Sequence, residues 1–454
     1  MVFSMDALPR ICCFDLDTFF VSVERLLDPS LVGVPVIVGA APGKRGVVTA
    51  CSYETRAHGV RSGMSSTEAA RLAPPGTVFL PGRHATYGPY AKQVKEVLER
   101  FTPAVQTASI DEFYLDFRGC ERLWSRRGDA DDDATIARVV REMRAAVQRE
   151  IGLPASAGLG CTRAIAKVAS GAAKPAGVVV VSASEAHGFL APLPVRKFPG
   201  IGPVAEARLH ADGIITLGQL LALPEGPLRA RHQRRADAVW GAIHGTAGHR
   251  LGRDRPAFRE HDPSGSAGTV GSISNERTFH ADVGDRQRVE NQVRALAERV
   301  CWRARQRGVV ARTVTVKLRT ADFHTVTRGR TVPATHHEPT VVRVCRELLH
   351  TAWTRRLPVR LVGVQLSNLQ QPGGQLVLPL SSSPAVPQRP AMGKALDAIR
   401  ERFGYDAVRL GVAEVSAAKA ARGPSPEGGR PARGEARPAS GSPRPRQAHR
   451  GGSR

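Results

Sequence analysis

A multidomain α+β fold is predicted by three observations on this 454-residue chain. Its length is several times the usual domain size of about 100–150 residues, so two to four domains are expected. Before about residue 245, short apolar runs alternate with segments of helical spacing, the pattern of α/β or α+β layers. A polar, Gly- and Pro-rich stretch from Gly245 to Gly268 then separates this part from a second patterned region, as a linker would.

Taken in order, Ile11–Asp17, Val34–Val38, Val47–Cys51, Val78–Leu80, Tyr114–Phe117 and Val178–Val181 are short apolar runs that read as strands. Phe20–Leu27, Ser66–Leu72, Tyr90–Phe101, Thr135–Ile151 and Arg163–Ala172 repeat apolar residues at helical spacing. Val195 to about Leu223 reads as short helices joined by a Gly-Ile-Gly turn. After the linker, Arg312–Arg319 and Val359–Leu366 alternate like strands, while Val289–Arg305 and Pro339–Thr354 look helical, which gives a small α+β domain. Arg422–Arg454 is built from Arg, Pro, Gly, Ser and Ala; it cannot bury enough apolar surface to offset ordering, so a disordered tail is expected.

With 42% hydrophobic and 23% charged residues, the chain is neither wholly disordered nor fibrous. Lys plus Arg is 65 against 41 for Asp plus Glu, a net charge of +24. The tail carries eight Arg against two Glu, so most of the excess belongs to the folded part, and a polyanionic partner is implied. The absence of a long apolar run or a signal-peptide h-region argues against membrane insertion and secretion. Seven cysteines without a CxxC pair argue against a disulfide framework or zinc cluster, and a reducing cytoplasmic location is expected. Cys12 and Cys13 read as small core hydrophobes.

Three constellations carry chemistry. The first pairs Asp15-Leu16-Asp17, at the end of the opening strand, with Asp111-Glu112 inside Ser109–Asp116 (SIDEFYLD). Strand alternation would place Asp15 and Asp17 on one face, although Asp17 could equally cap the next helix. Carboxylates embedded in apolar sequence need cations, and two such clusters suit a pair of Mg²⁺ ions in phosphoryl transfer. The second constellation is Tyr53, Arg56, Gly59–Met64 and Ala173–Gly177 with Lys174, the donor types that bind a triphosphate. The third, Phe198-Pro199-Gly200-Ile201-Gly202-Pro203 followed by Val204–Leu209, has the helix-hairpin-helix pattern that offers backbone amides to a DNA phosphate. It lacks a Lys after the second Gly, so Arg208 would supply the charge.

FDLDTFFVSVE (Phe14–Glu24), SYETRAHGVRSGM (Ser52–Met64), SIDEFYLD, AKPAG and PGIG together resemble the motif set of the Y-family translesion DNA polymerases, most closely the DNA polymerase IV group. They come in the family's order, and GSISNERTF (Gly271–Phe279) resembles the start of its little-finger domain; the resemblance spans about residues 8–411. It implies a right-hand polymerase: palm with a ferredoxin-like sheet at 1–18 and 83–181, small fingers at 19–82, and a helical thumb with the helix-hairpin-helix at 182–245. A linker at 246–268, an α+β little finger at 269–370, a clamp-binding segment and C-terminal helix at 371–421, and a disordered basic tail at 422–454 would follow.

Carried over by motif, the metal ligands would be Asp15, the Leu16 carbonyl, Asp111 and Glu112, with Asp17 ordering the site or capping the helix instead. The amides of Thr18 and Phe19 with Tyr53, Arg56 and Lys174 would hold the triphosphate. Phe20 would be the steric gate beneath the sugar; read without the resemblance, it is a core residue. Gly200, Gly202 and Arg208 would contact DNA, as would little-finger bases including Arg303, Arg305, Arg307, Lys317, Arg319, Arg328 and Arg330. Gln375, Leu376, Leu378 and Leu380 resemble a sliding-clamp motif, departing from it at Pro379, and the bland alternative is a connector. Ala391–Gly411 resembles a C-terminal helix without a chemical role. The expected activity is error-prone, template-directed DNA synthesis from dNTPs on a primer, by a monomer using two Mg²⁺ ions. The competing readings are a catalytically inactive DNA-binding scaffold of the same fold, which should lack the acidic residues, and a two-metal nucleotide cyclase, which leaves the hairpin and Phe20 unexplained.

Overall fold

The structure is a computed structural model and describes residues 10–245, 271–354, 357–372 and 390–408. It forms two compact units, one of residues up to Gly271 together with Phe279–Asp282 and one of the rest.

The first unit is organised on a five-stranded sheet of order β5-β6-β1-β7-β8. Its centre is β1 (Ile11–Leu16), buried at every position, which explains why its sequence is apolar apart from Asp15: both faces are covered. Antiparallel neighbours β6 (Glu112–Asp116) and β7 (Ala155–Gly160) flank it, with edges β5 (Val105–Thr107) and β8 (Val178–Val180). Cys12, Phe14 and Leu16 pack into the large core shared with the helices at His84–Leu98 and Asp132–Ile151, whereas Ile11 and Cys13 face Ala166 of the helix at Arg163–Ala172. By alternation, Asp15 lies on the same side as Ile11 and Cys13. On β6 the same rule puts Glu112 with Tyr114, on that side too.

In chain order the helices of this unit are α1 (Phe19–Leu27), α2 (Tyr53–Ala57), α3 (Ser66–Leu72), α4 (His84–Leu98), α5 (Glu121–Trp124), α6 (Asp132–Ile151) and α7 (Arg163–Ala172). A second, three-stranded sheet of β2 (Val36–Gly39), β3 (Val48–Cys51) and β4 (Val78–Leu80) has its own small core of Ile37, Val48, Cys51, Val60 and Ala69. Then come α8 (Ala186–Leu190), α9 (Pro203–Ala211), α10 (Leu217–Leu221) and α11 (Pro227–Ile243). The turn before α9 uses Gly200 at φ +94, a left-handed conformation that favours glycine, and Pro203 opens the helix.

The second unit is a four-stranded sheet of order β11-β10-β12-β9, with β9 at Ser272–Val283, β10 at Val310–Thr320, β11 at Thr325–Thr335 and β12 at Val359–Gln370. The helices α12 (Arg286–Gln306) and α13 (Glu338–Ala352) pack on it, and α14 (Pro390–Phe403) is tied to them by charge. Arg305 pairs with Asp397 at 2.7 Å and Glu338 at 2.6 Å; the fully buried Arg400 reaches Glu338 at 3.1 Å, and Tyr405 lies under both Arg299 and Arg400. This corrects one expectation and fills a gap in another. Arg305 is engaged by acids inside the unit rather than offered to phosphate, and the Ala391–Gly411 stretch begins as a helix clamped to α12 and α13.

The sequence patterns miss four strands, β5, β7, β9 and β11, and start α4 six residues late. Pro89 misplaces that boundary, because it sits inside the helix, where it removes one backbone donor. The clamp-like Gln375, Leu376, Leu378 and Leu380, and the Arg-rich stretch 422–454, lie outside the described residues.

Candidate active site

Strand register builds the acidic centre. Asp15 and Glu112 are directly opposed across β1 and β6, and both face α7. Helix α7 can lie close on β7 because the strand is ASAGLG: a Cβ at Gly158 would stand 2.1 Å from the Ser170 nitrogen and 2.2 Å from the Ala166 carbonyl. The close approach brings Lys167 over the strand pair, where its ammonium lies 2.7 Å from Asp15 Oδ2 and 2.6 Å from Glu112 Oε2. Lys174, just past α7, donates to Asp15 Oδ1. Burial alone would lower the Lys167 pKa, but Asp15 and Glu112 outweigh it and hold the amine protonated. Beneath them, burial and the charge of Glu112 push the Cys13 thiol up to about 12, so it is a core group and not a nucleophile.

Asp111 precedes β6, and its carboxylate takes the Ser109 hydroxyl. Its carbonyl accepts the Leu16 amide at 2.9 Å, which joins the two acidic segments through the backbone. Among the described residues no three Asp, Glu, His or Cys side chains are drawn together closely enough to hold a metal ion as they stand. Two ammonium groups occupy that place instead.

Asp17 has another job. Strand β1 ends at Leu16, so the alternation that would align Asp17 with Asp15 no longer applies. Its carboxylate is 1% exposed and accepts the Ser156 hydroxyl at 3.0 and 2.8 Å, the Ala176 amide at 2.7 Å and the Tyr53 hydroxyl at 3.1 Å. It therefore fastens β7, the Lys174 turn and α2 together. Helix α1 is instead preceded by Thr18 in left-handed conformation (φ 45), which makes no side-chain cap. Burial and Asp17 raise the Tyr53 phenol, keeping it a proton donor, and the Arg56 guanidinium lies 5.2 Å from the Tyr53 ring centre.

Phe19 is buried, and Phe20 is half-buried, its ring stacked on Tyr87 at 4.2 Å and 17°. Tyr87 is held in turn: its hydroxyl donates to Glu24 at 2.6 Å, and Arg83 pairs with the same carboxylate. Burial, together with Glu24, pushes the Tyr87 phenol up to about 12, so this donor persists at any physiological pH.

The fold thus brings together Asp15, Glu112 and Lys174, joins Tyr53 to them through Asp17, and holds Arg56 against Tyr53. It turns Asp111 toward Ser109, and it puts Gly200, Gly202 and the exposed Arg208 on a separate turn and helix. Sequence reasoning misses Lys167, Ser156 and the Tyr87–Glu24–Arg83 set. The one signal for Lys167 is a lone cation in the apolar face Ile165–Ala169, which only a carboxylate partner could make tolerable.

Comparison with known proteins fits this geometry. A family model described as impB/mucB/samB matches residues 14–171, its C-terminal domain residues 270–380, and the IMS family HHH motif residues 184–214. A protein named DNA polymerase IV from Caulobacter vibrioides is 37% identical over 407 residues, covering 88% of this chain and 93% of its own. Another of that name, from Dehalococcoides mccartyi (strain CBDB1), is 34% identical over 415 residues, covering 89% and 97%. Among solved structures, a Y-family DNA polymerase chimera of Dbh and Dpo4 aligns with TM-score 0.67 at 20% identity, over 80% of this chain and 99% of that one. An insertion ternary complex of Dbh DNA polymerase aligns with TM-score 0.53 at 21% identity, over 80% and 99%. At those identities the structural likeness speaks for the fold.

Proposed function

The chain belongs to the impB/mucB/samB family, the Y-family DNA polymerases of the DNA polymerase IV group, and from that premise we propose which of its residues carry the reaction. It is a template-directed, translesion-type DNA polymerase that transfers a nucleotidyl group from dNTP to a primer 3′-hydroxyl. The observation that carries the residue assignment is the opposition of Asp15 and Glu112 on the two central strands, facing one helix. An inactive scaffold has no observation in its favour, since Asp15, Asp111 and Glu112 are all present.

Polymerases of this family use divalent metal ions; here we assign two Mg²⁺ to Asp15, Asp111, Glu112 and the Leu16 carbonyl. The donor set fits: these are hard oxygen ligands on adjacent strands, and the ammonium groups now paired with Asp15 and Glu112 show that this place holds positive charge. When bound, the ions would neutralise the triphosphate and acidify the primer hydroxyl. The protein's own residues do the positioning. Lys174 and Arg56 would supply cations to the triphosphate, the amides of Thr18 and Phe19 would add donors, and the Tyr53 hydroxyl, which donates to Asp17 in the free protein, would turn to the triphosphate. No side-chain nucleophile is needed. Gly200, Gly202 and Arg208 would hold a DNA phosphate, and exposed bases of the second unit would add salt-dependent affinity. We propose that the chain acts as a monomer. No described helix is long and apolar enough to cross a membrane, and a cytoplasmic location remains our reading.

Primer extension with Mg²⁺ on intact and damaged templates tests the assignment, with Gln375→Ala/Leu378→Ala compared with the parent in the presence of a sliding clamp. Insertion opposite both templates is expected, and clamp stimulation should vanish in the double variant only. No insertion by the folded protein overturns the polymerase reading, and equal stimulation overturns the clamp contact.

Phe20, we propose, forms the wall against which a ribose 2′-hydroxyl would clash. In Phe20→Ala, ribonucleotide insertion relative to dNTP should rise by at least about tenfold, as expected when a ring leaves a tight pocket. Unchanged discrimination in single-nucleotide insertion assays would return Phe20 to a packing role.

A further inference from the structure

We infer that Lys167 is a positioning residue, a resident cation that keeps Asp15 and Glu112 assembled before metal arrives and opposes the binding of metal at that pair. The inference rests on the metal assignment above and adds a residue that the motif set does not include. Its basis is geometric. The Lys167 ammonium bridges the two opposed carboxylates at 2.7 and 2.6 Å. Lys174 takes the other oxygen of Asp15, so both oxygens of that carboxylate face an ammonium group. Gly158 and Gly160 let the backbone of α7 lie directly against β7, which sets how near Lys167 comes to the pair. Lys167 is therefore held at the pair, whereas Lys174 sits beyond the helix end on the Ala173–Gly177 turn.

Two carboxylates on neighbouring strands repel unless a cation lies between them. Lys167 supplies that cation in the free protein. A divalent ion approaching Asp15 meets two positive groups, so metal binding without nucleotide is disfavoured. When a triphosphate arrives it offers Lys174 a stronger anionic partner, one oxygen of Asp15 is released, and Glu112 stays aligned through Lys167. Metal and nucleotide therefore help each other to bind, and the linkage must be reciprocal.

Mn²⁺ titration of the free protein, followed by electron paramagnetic resonance without DNA or nucleotide, separates this idea from the polymerase assignment, which is read by primer extension. Lys167→Met should tighten Mn²⁺ binding by at least about tenfold, the effect of removing one close positive charge. The same variant should melt at lower temperature in chelator and recover on adding Mn²⁺, because its carboxylate pair then lacks any bridging cation. Lys167→Arg, which keeps the charge, should match the parent in both readouts. Unchanged or weaker Mn²⁺ binding by folded Lys167→Met overturns the inference. If that variant does not fold, Lys167→Gln is read the same way.

Discussion

In Asp111→Ala and Glu112→Ala proteins, primer extension is expected to fall by at least about a thousandfold, while primed duplex is still bound with nearly the parent affinity. The size follows from losing one carboxylate of the proposed metal-binding set, several kcal/mol of charge stabilisation at roughly 1.4 kcal/mol per decade of rate. The two variants should differ in stability. Asp111 is half-buried and its carboxylate meets only the nearby Ser109 hydroxyl among the bonds described, so its removal should leave the melting temperature almost unchanged. Glu112 is one of two anchors of Lys167, so its loss leaves that ammonium with Asp15 alone and should lower stability modestly. Single-turnover extension alongside a DNA-binding titration makes the measurement. Normal extension by folded Asp111→Ala would sink the metal assignment.

The largest structural effect is expected from Gly158→Ala. The added methyl would lie 2.1–2.6 Å from backbone atoms of Ser170, Ala166 and Ala169, and no rotamer change can relieve a clash with backbone. Helix α7 must move away from β7 by about an ångström, which overpacking data put at about 1–3 kcal/mol or more. For a unit of this size the melting temperature should drop by roughly 2–4 °C per kcal/mol. Lys167 travels with the helix, so extension should fall as well, even though the methyl touches no proposed site residue. A parent-like melting curve and rate would mean that α7 is free to slide and that the close approach is not needed.

Much of the first unit was legible because burial leaves a plain mark: β1 is buried at every position and apolar except for Asp15, the edge strand β8 is the short apolar run VVV, and α6 announces itself by its periodicity. Strand β7 left no such mark, since its fit depends on small residues and carries little hydrophobicity to detect. Strands β9 and β11 are largely exposed, so their patterns are polar and without clear alternation. The acidic centre could be read from two clusters in apolar sequence, but the separate duty of Asp17 depends on where β1 stops, a boundary that composition does not fix. Lys167 was hidden for the opposite reason. Its partners are 152 and 55 residues away, and only the sheet order brings them to it.

The ring pile of Phe20 on Tyr87, anchored by the buried Glu24 and its partner Arg83, also bears on how a permissive copier can remain strict in one respect. Misreading of a distorted base depends on how loosely the template is gripped. If Phe20 is the wall proposed above, rejection of the wrong sugar rests on a ring stacked on Tyr87 and held through the charge-assisted Tyr87–Glu24 bond rather than by the nucleotide itself, so its hardness is independent of what is being copied. Tolerance toward the template and intolerance toward ribose can then coexist, each set by a different part of the molecule.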